Sequence, residues 1–304
     1  MEKNSLPVHP YWALLIGVCA VSTSAIFVKL SSAPASVIAT YRLAFTVLLM
    51  TPLIVSKYRP ELLRISGKDW LICTAAGVFL AFHFIFWFGS LDYTSVASSV
   101  VLVALQPIFA FIGTYIFFHE RFTAKTIAGG LLAVAGSVII SWGDFQGSGA
   151  ALWGDIMAVL GAIWVTVYFL FGQNARKRLS LMTYTYLVYG ISSVTLFLYD
   201  FALGYDVTGY PAKDWWIFLG LALIPTLLGH TIFNGIIKWV STSVVSTSIL
   251  GEPIGASILA YFVLGEEIQL SQWIGGSVIL LGIYVFLRSY QGTKRKTKKG
   301  LKSA

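Results

Sequence analysis

The chain repeats itself: residues 95–136 align without a gap on residues 241–282, at a constant offset of 146 residues. Ten of the 42 aligned positions are identical, and they include Pro107/Pro253, Tyr115/Tyr261, Glu120/Glu266 and Gly129-Gly130/Gly275-Gly276. Similarity at one fixed offset is the signature of an internal duplication. Because both copies are apolar and long enough to cross a bilayer, the duplication indicates a membrane fold built from two related repeats.

The composition supports the same fold class. With 57% hydrophobic and 11% charged residues, the chain has too few charges to cover the surface of a soluble protein of this length. Apolar runs of membrane-spanning length lie near 11–30, 37–55, 70–91, 95–118, 124–142, 152–172, 183–203, 215–237, 244–264 and 271–290. The alternation that marks a membrane β-barrel is missing from these runs. The sequence therefore predicts an all-α membrane protein with ten transmembrane helices, five in each repeat.

The basic residues predict how the helices are oriented. In a ten-helix arrangement, 18 of the 21 lysines and arginines fall on one side, while Lys29 and Lys213 fall on the other and Arg42 lies inside a helix. The positive-inside rule assigns the basic side to the cytoplasm. We therefore expect a multi-pass protein of the cytoplasmic membrane, the cell membrane, with both termini in the cytoplasm.

Five helices per repeat is an odd number, so the two repeats must enter the membrane from opposite sides. The loop after helix 4 carries Arg121 and Lys125, whereas the loop after helix 9 has Glu267 and Ser271 at those positions, as expected for an outer loop. We predict two inverted five-helix repeats, residues 1–146 and 147–290, followed by a basic cytoplasmic tail at 291–304. Inverted repeats can exchange conformations and open a central site to either side, which is alternating access.

Glu252 is the leading candidate for a central binding group. It lies about nine residues into the ninth apolar run, where an acidic side chain costs roughly 2.5–3.5 kcal/mol. Pro253 removes the backbone donor that would bond the carbonyl of Ile249, and Gly251 adds flexibility. The carboxylate would bind a substrate cation or take up and release a proton. The alternative is a protonated or paired glutamate that only fastens helices together.

The equivalent position in the first repeat is Gln106, which cannot titrate. It would contribute hydrogen bonds and a hinge to the cavity wall. We take Pro107, Pro253 and Gly251 as candidate hinge positions, with a static kink as the alternative reading of the prolines.

Several other polar residues lie within the predicted helices. Arg42, preceded by Tyr41, is the deepest cation and would bind a substrate carboxylate, pair with Glu252 or cap neighbouring carbonyls. We expect His83 in the outer half of the bundle and His230 in the inner half, each either titrating or making a structural hydrogen bond. Trp87 and Asn234 are weaker candidates for the cavity lining.

Motifs of soluble chemistry are missing from the sequence. It contains neither a nucleotide-binding P-loop nor a glycine-rich dinucleotide turn, and it lacks metal-ligand spacing. We therefore predict no enzymatic activity, no cofactor and no metal site. The net charge of +8 resides in loops and in the tail, which suits anchoring at anionic lipid and gives no support for nucleic-acid binding. The expected partners are a small-molecule substrate, the lipid bilayer and, as a coupling ion, protons; the oligomeric state stays open.

Two segments carry a family resemblance: QPIFAFIGTYIFFHERFTAKTIAGGLLAVAG and EPIGASILAYFVLGEEIQLSQWIGGSVILLG. Each joins a proline-containing fourth helix, a loop with His-Glu or Gly-Glu, and a following G-G-x5-G helix, and this pattern resembles the EamA branch of the drug/metabolite transporter superfamily. The resemblance implies ten helices, of which 1–4 and 6–9 surround a cavity and 5 and 10 support it from outside. It also implies that Glu120 and Glu266 hold helix ends together.

Members of that family mostly export small compounds across the membrane. The resemblance therefore implies a secondary transporter that exports small metabolites, amino acids or amphipathic drugs by alternating access. The alternatives are a flippase for lipids or lipid-linked sugars and a non-transporting membrane receptor.

Overall fold

The computed structural model describes residues 10–94, 96–141, 149–265 and 270–300; these residues form helices joined by turns and loops, with no β-strand among them. Nine described helices are long and apolar enough to cross a membrane, and Ala124–Ile139 is a shorter apolar helix. This confirms the predicted all-α membrane fold. Glu266 and Glu267 lie outside the described residues.

We number the helices α1–α10 in chain order. The first repeat contains α1 (Pro10–Leu30), α2 (Ala35–Leu62), α3 (Gly67–Ser90), α4 (Val96–Val103 and Gln106–Phe118) and α5 (Ala124–Ser141). The second contains α6 (Gly149–Ala175), α7 (Leu181–Ala202), α8 (Ala212–Ile236), α9 (Thr242–Leu264) and α10 (Leu270–Gly300). The last helix continues through the basic segment that we predicted as a tail beyond residue 290.

Helices α4 and α9 are broken at equivalent places. The two halves of α4 are separated by Ala104 and Leu105, and those of α9 by Leu250 and Gly251. Both second halves end on a left-handed residue, at His119 with φ 53° and Gly265 with φ 71°. The offset of 146 residues relates each of these features to its counterpart. The duplication seen in the sequence therefore extends to backbone irregularities.

Three further irregularities bend the bundle. Helix α1 is interrupted between Val21 and Ser24, α2 contains a π-helical turn at Ile54–Tyr58, and α8 contains a longer π-helical segment at Ala222–His230. Prolines Pro52 and Pro225 accompany the two π-helical segments. A π-bulge changes the direction in which the following side chains point and is frequent at functional sites.

Helices α5 and α10 pack directly against each other. A Cβ added at Gly129 would lie 2.5 Å from the backbone nitrogen of Phe286, and one added at Gly282 would lie 2.4 Å from that of Ala133. Only glycine permits this approach. The G-G-x5-G motifs therefore join the two repeats inside one chain.

Two polar ties connect the repeats at opposite ends of the bundle. At the predicted cytoplasmic end, Arg178 contacts Asp69 with a nitrogen–oxygen distance of 2.6 Å. At the predicted outer end, the Ser32 hydroxyl donates to Asp214 at 2.6 Å and the Ser32 backbone N–H donates to the same carboxylate at 3.1 Å. Ser32 and Arg178 are equivalent at the offset of 146 residues, so the ties occupy matching places in the inverted repeats.

Candidate functional site

A small cavity lies between the two repeats, beside the breaks of α4 and α9. Water-molecule centres have about 20 Å³ of room in it, which corresponds to one or two waters. The wall combines aliphatic and aromatic side chains with one carboxylate, two imidazoles and one amide, contributed by both repeats: Val21, His83, Trp87, Val103, Gln106, Val165, Phe169, His230, Phe233, Ile249 and Glu252.

Glu252 is placed by the break in α9. It is the first residue of the second half of that helix and is 4% exposed. A helix N-terminus carries a partial positive charge that favours a carboxylate. The backbone carbonyl of Glu252 accepts a hydrogen bond from Ser22 Oγ at 3.3 Å, at the interruption of α1. A Cβ at Gly255 would lie 2.3 Å from the same hydroxyl oxygen, so this glycine allows α1 and α9 to meet.

Gln106 occupies the matching position in α4. It begins the second half of that helix and is 3% exposed. Its Oε1 atom is buried and has no hydrogen-bond partner among the described residues. Pro107 and Pro253 follow these two residues directly, in the first turn of each half-helix, where a backbone donor has no intrahelical acceptor in any case. The two prolines therefore fit the broken helices without loss of a helical hydrogen bond.

The two histidines meet in the cavity wall, with ring centroids 6.5 Å apart. Nδ1 of His83 is 3.0 Å from the carbonyl oxygen of Gly161, and its ring stacks on Trp87 at 5.3 Å. His230 stacks on Phe169 at 6.4 Å and ends the π-helical segment of α8. The sequence predicts the histidines in opposite halves of the bundle; the structure brings their rings together in the wall of one cavity.

Further unpartnered polar atoms face this region. Nδ1 of His230 and Nε1 of Trp87 are buried and have no hydrogen-bond partner within the described part of the chain. Buried polar groups are normally hydrogen-bonded. Together with Gln106 Oε1 and the Glu252 carboxylate, they form a set of donors and acceptors available to a polar ligand.

Arg42 lies behind the cavity wall and is completely buried. Its Nε donates to Thr226 Oγ1 at 2.7 Å and its Nη1 donates to Ser24 Oγ at 2.9 Å. The guanidinium carbon is 4.7 Å from the ring centroid of Phe84. No salt bridge joins Arg42 to Glu252 among the residues that the structure describes.

Asn234 also lies behind the wall. Its side-chain nitrogen donates to the backbone carbonyl of His230 at 2.8 Å and to the hydroxyl group of Tyr168, and the hydroxyl group of Tyr189 lies 3.4 Å from the same nitrogen. This network connects α6, α7 and α8 and supports the carbonyl next to the cavity. Asn234 therefore positions His230 and does not line the cavity itself.

Tyr41 lies away from this cavity. Its ring stacks on Phe218 at 5.1 Å and packs edge-on against Trp215 at 4.8 Å, and its hydroxyl donates to the carbonyl of Val207. Tyr41 thus belongs to an aromatic cluster at the predicted outer end. Its neighbour in sequence, Arg42, points to the middle because consecutive helical residues face different directions.

Sequence reasoning missed several residues that build the site. Phe169 and Phe233 form part of the wall, and nothing in the apolar helices distinguishes them from packing residues. Ser22, Ser24 and Thr226 could have been found, because small hydroxyl residues inside apolar runs, with Pro225 beside Thr226, indicate places where a helix is interrupted.

No cluster of three or more histidine, cysteine or acidic side chains suited to a metal ion occurs among the residues that the structure describes. The chemistry of the site is that of one carboxylate, two imidazoles and aromatic faces.

Comparisons with known proteins agree with this architecture. The family model described as "EamA-like transporter family" matches residues 10–142 and 152–288. A curated relative from Archaeoglobus fulgidus, named "Uncharacterized transporter", is 24% identical over 75% of this chain and 81% of its own length. The "Uncharacterized transporter YxxF" of Bacillus subtilis is 26% identical over 80% of this chain and 78% of its own length.

A solved crystal structure has the same fold. It superposes with a TM-score of 0.75, covers 92% of this chain and 98% of its own length, and is 17% identical. The two family matches, one per repeat, cover nearly all the helices described above. The chain is a multi-pass membrane protein and belongs to the EamA-like transporter family.

Proposed function

We propose that this protein is a secondary carrier of the cytoplasmic membrane that moves a small amphipathic solute with a positively charged group outward by alternating access. The observation that carries this proposal is the position of Glu252. It is a buried carboxylate at a helix break, in a cavity whose wall comes from both repeats. Sites between inverted repeats, at interrupted helices, are where such carriers bind their cargo.

The wall favours an amphipathic cation. Glu252 supplies the negative charge. Trp87, which stacks on His83, and Phe169, which stacks on His230, supply aromatic rings that attract a cation and bury an apolar body. Gln106 Oε1 offers a second acceptor for an ammonium or amine group.

The size of the cavity supports a carrier that must rearrange. Room for one or two waters is too little for a metabolite, so binding requires one end of the bundle to open. The ties Asp69–Arg178 and Asp214–Ser32 close opposite ends. Breaking one tie while keeping the other would open a path to one side at a time, and the breaks in α1, α4 and α9 reduce the number of helical hydrogen bonds lost on bending.

We further propose that protons are the coupling ion and that Glu252 binds either a proton or the solute. Mutually exclusive occupancy of one carboxylate would exchange an entering proton for a departing solute. The predicted cytoplasmic termini and the outward direction belong to the same proposal.

The test uses purified protein in proteoliposomes that contain a pH-sensitive dye. Counterflow of labelled amino acids, organic cations and polyols is measured together with proton movement, for wild type and Glu252→Gln. We expect solute-triggered proton flux in the wild type and its loss in the variant. A matched control is Glu61→Gln at the cytoplasmic end, where the amide oxygen still accepts from the Ser180 backbone N–H that Glu61 binds at 2.7 Å.

Three results would contradict parts of the proposal. Counterflow without proton flux would exclude proton coupling, and full activity of Glu252→Gln at every pH would exclude the role of Glu252. Movement of none of the solutes, together with movement of labelled lipid between leaflets, would replace the carrier with a flippase. Direction is read in everted membrane vesicles, where an exporter takes up solute when the interior is acidified.

A further inference from the structure

The guanidinium of Arg42 carries a buried positive charge that no described carboxylate neutralises in an ion pair. Its residue is 0% exposed, and the two side-chain hydrogen bonds go to the neutral hydroxyls of Ser24 and Thr226. Burying a charge without a partner of opposite charge is costly, and in a membrane protein it marks a functional position. An anionic group bound beside Arg42 would therefore reduce this cost.

One nitrogen of Arg42 is free to bind such a group. Nε and Nη1 are fixed by hydroxyls on α8 and α1, whereas Nη2 is buried and has no hydrogen-bond partner among the described residues. The ring of Phe84 at 4.7 Å offsets part of the charge through its face. The Phe84 ring lies over the face of the guanidinium and supplies no hydrogen-bond acceptor in its plane. The hydrogens of Nη2 therefore remain without an acceptor among the described residues. A guanidinium held in a fixed orientation is well suited to a carboxylate.

Arg42 lies one layer behind the two histidines of the cavity wall, because the Phe84 ring that its guanidinium faces is 5.0 Å from the ring of His83 and 6.1 Å from that of His230, centroid to centroid. Along the helices, Arg42 is seven residues into α2, roughly 10 Å from the predicted outer end, and Glu252 is ten residues into α9, roughly 15 Å from the predicted cytoplasmic end. In a hydrocarbon core of about 30 Å the two backbone positions differ in depth by only about 5 Å. The hydrogen bonds of Arg42 go to Ser24 and Thr226 and none goes to Glu252, so a short molecule with two opposite charges could join the two residues.

We propose that Nη2 of Arg42 is the subsite for the carboxylate of a zwitterionic substrate whose ammonium group binds Glu252. This rests on the proposed function, because it adds a second recognition point to the same carrier. The apolar body of the substrate would pack on Trp87 and Phe169. The carboxylate would point toward the predicted outer end and the ammonium toward the cytoplasmic end.

Wild-type protein alone suffices for the first test. Inhibition of counterflow is measured with sets of four ligands that share a side chain: an amino acid, its methyl ester, its decarboxylated amine and its deaminated acid. For leucine these are leucine, leucine methyl ester, 3-methylbutylamine and 4-methylpentanoate; the phenylalanine and methionine sets are measured in parallel. We expect the amino acid to bind at least about tenfold more tightly than each of the other three.

Variants then assign the preference to Arg42. Arg42→Gln should reduce the ratio of amino-acid to amine affinity to near one, and Arg42→Lys should leave an intermediate ratio because the charge remains but the fixed fork is lost. The control is Arg176→Gln, since Arg176 is an equally buried arginine that donates to the backbone carbonyls of Asn234 and Leu179. It should lower stability and leave the affinity ratio unchanged.

The proposal is overturned if the amine or the ester binds as tightly as the amino acid, or if none of the three sets binds while other solutes are transported. Failure of the carrier function looks different, because then no solute of the broad panel moves. If Arg42→Gln does not fold, the wild-type ligand series still decides the question.

Discussion

Helices α4 and α9 have the same backbone shape but differ in the side chain that follows the break. In both helices a two-residue break comes directly before a residue–proline pair, Gln106-Pro107 in α4 and Glu252-Pro253 in α9. Both helices end in a left-handed residue. One carries a neutral amide and the other a carboxylate. Duplication has kept the shape of the two halves, and one side-chain difference gives the charge to the second repeat.

The neighbours of the two helices differ as well. Beside α9, α1 is interrupted at Ser22 and approaches Gly255 closely. At the equivalent places the other pair has Tyr168, inside the unbroken helix α6, and Phe109 in α4. The charged half of the site is therefore also the half in which two interrupted helices touch.

Of the changes that test this asymmetry, removing the carboxylate of Glu252 should have the largest effect on transport. We expect Glu252→Gln to slow solute counterflow by about 100-fold, because loss of one member of a buried charged contact costs about 2–5 kcal/mol. Counterflow rates in proteoliposomes give the comparison with wild type. Loss of only a few-fold would mean that the two halves contribute equally and that the carboxylate is structural.

Moving the carboxylate to the first repeat tests whether its place in the cavity or the contacts around α9 determine solute binding. In the Glu252→Gln background, we expect Gln106→Glu to recover about tenfold of the lost solute affinity, since both residues begin a half-helix and line the same cavity; tenfold corresponds to about 1.4 kcal/mol. Competition by an organic cation measures the recovery. No recovery would show that the contacts around α9, and not the cavity charge alone, create the site.

Adding one methyl group at Gly255 should push α1 and α9 apart. Gly255→Ala would place a Cβ 2.3 Å from Ser22 Oγ, and we expect a loss of about 1–3 kcal/mol in stability with transport reduced by several-fold. Thermal unfolding in detergent and counterflow are the measurements. Gly276→Ala is the matched control, because its nearest atom, in Ile254, is at 3.6 Å; a second Ser22→Gly substitution should restore the Gly255→Ala variant.

The ties at the two ends should give the smallest effect. Arg178→Ser makes the tie at the predicted cytoplasmic end resemble Ser32 at the predicted outer end. We expect it to raise labelling of a cysteine introduced on the predicted cytoplasmic side of the cavity by about two- to fivefold. The change is small because the Arg178 side chain is 41% exposed, and exposed ion pairs contribute about 0–1 kcal/mol. Equal labelling in wild type and variant would exclude this tie as a gate.

Much of the fold followed from patterns along the chain. The apolar runs predict ten helices close to those described, and the offset of 146 residues predicts equivalent irregularities in α4 and α9. The candidate hinges were Pro107, Pro253 and Gly251, whereas the breaks lie at Ala104-Leu105 and Leu250-Gly251. The candidate residues Glu252, Gln106, His83, Trp87 and His230 are gathered in one cavity wall. Polar residues are so expensive in apolar helices that their positions are informative without a structure.

Other features depend on several helices at once. The π-helical segment of α8 brings Thr226 to Arg42 and turns His230 toward His83, and no local pattern specifies that register. Tyr41 and Arg42 are neighbours in sequence but lie in different regions.

The sequence by itself determined the class of protein, the number of helices, the inverted duplication and the one acidic residue beside a mid-helix proline, because hydrophobic length, charge placement and repetition are local or periodic properties. Only the tertiary structure decided that Arg42 is held by Ser24 and Thr226 with one nitrogen left over, that the histidines meet, and that the glycine motifs join α5 to α10 within one chain. These are contacts between residues far apart in sequence, and their distances are set by how irregular helices pack against each other.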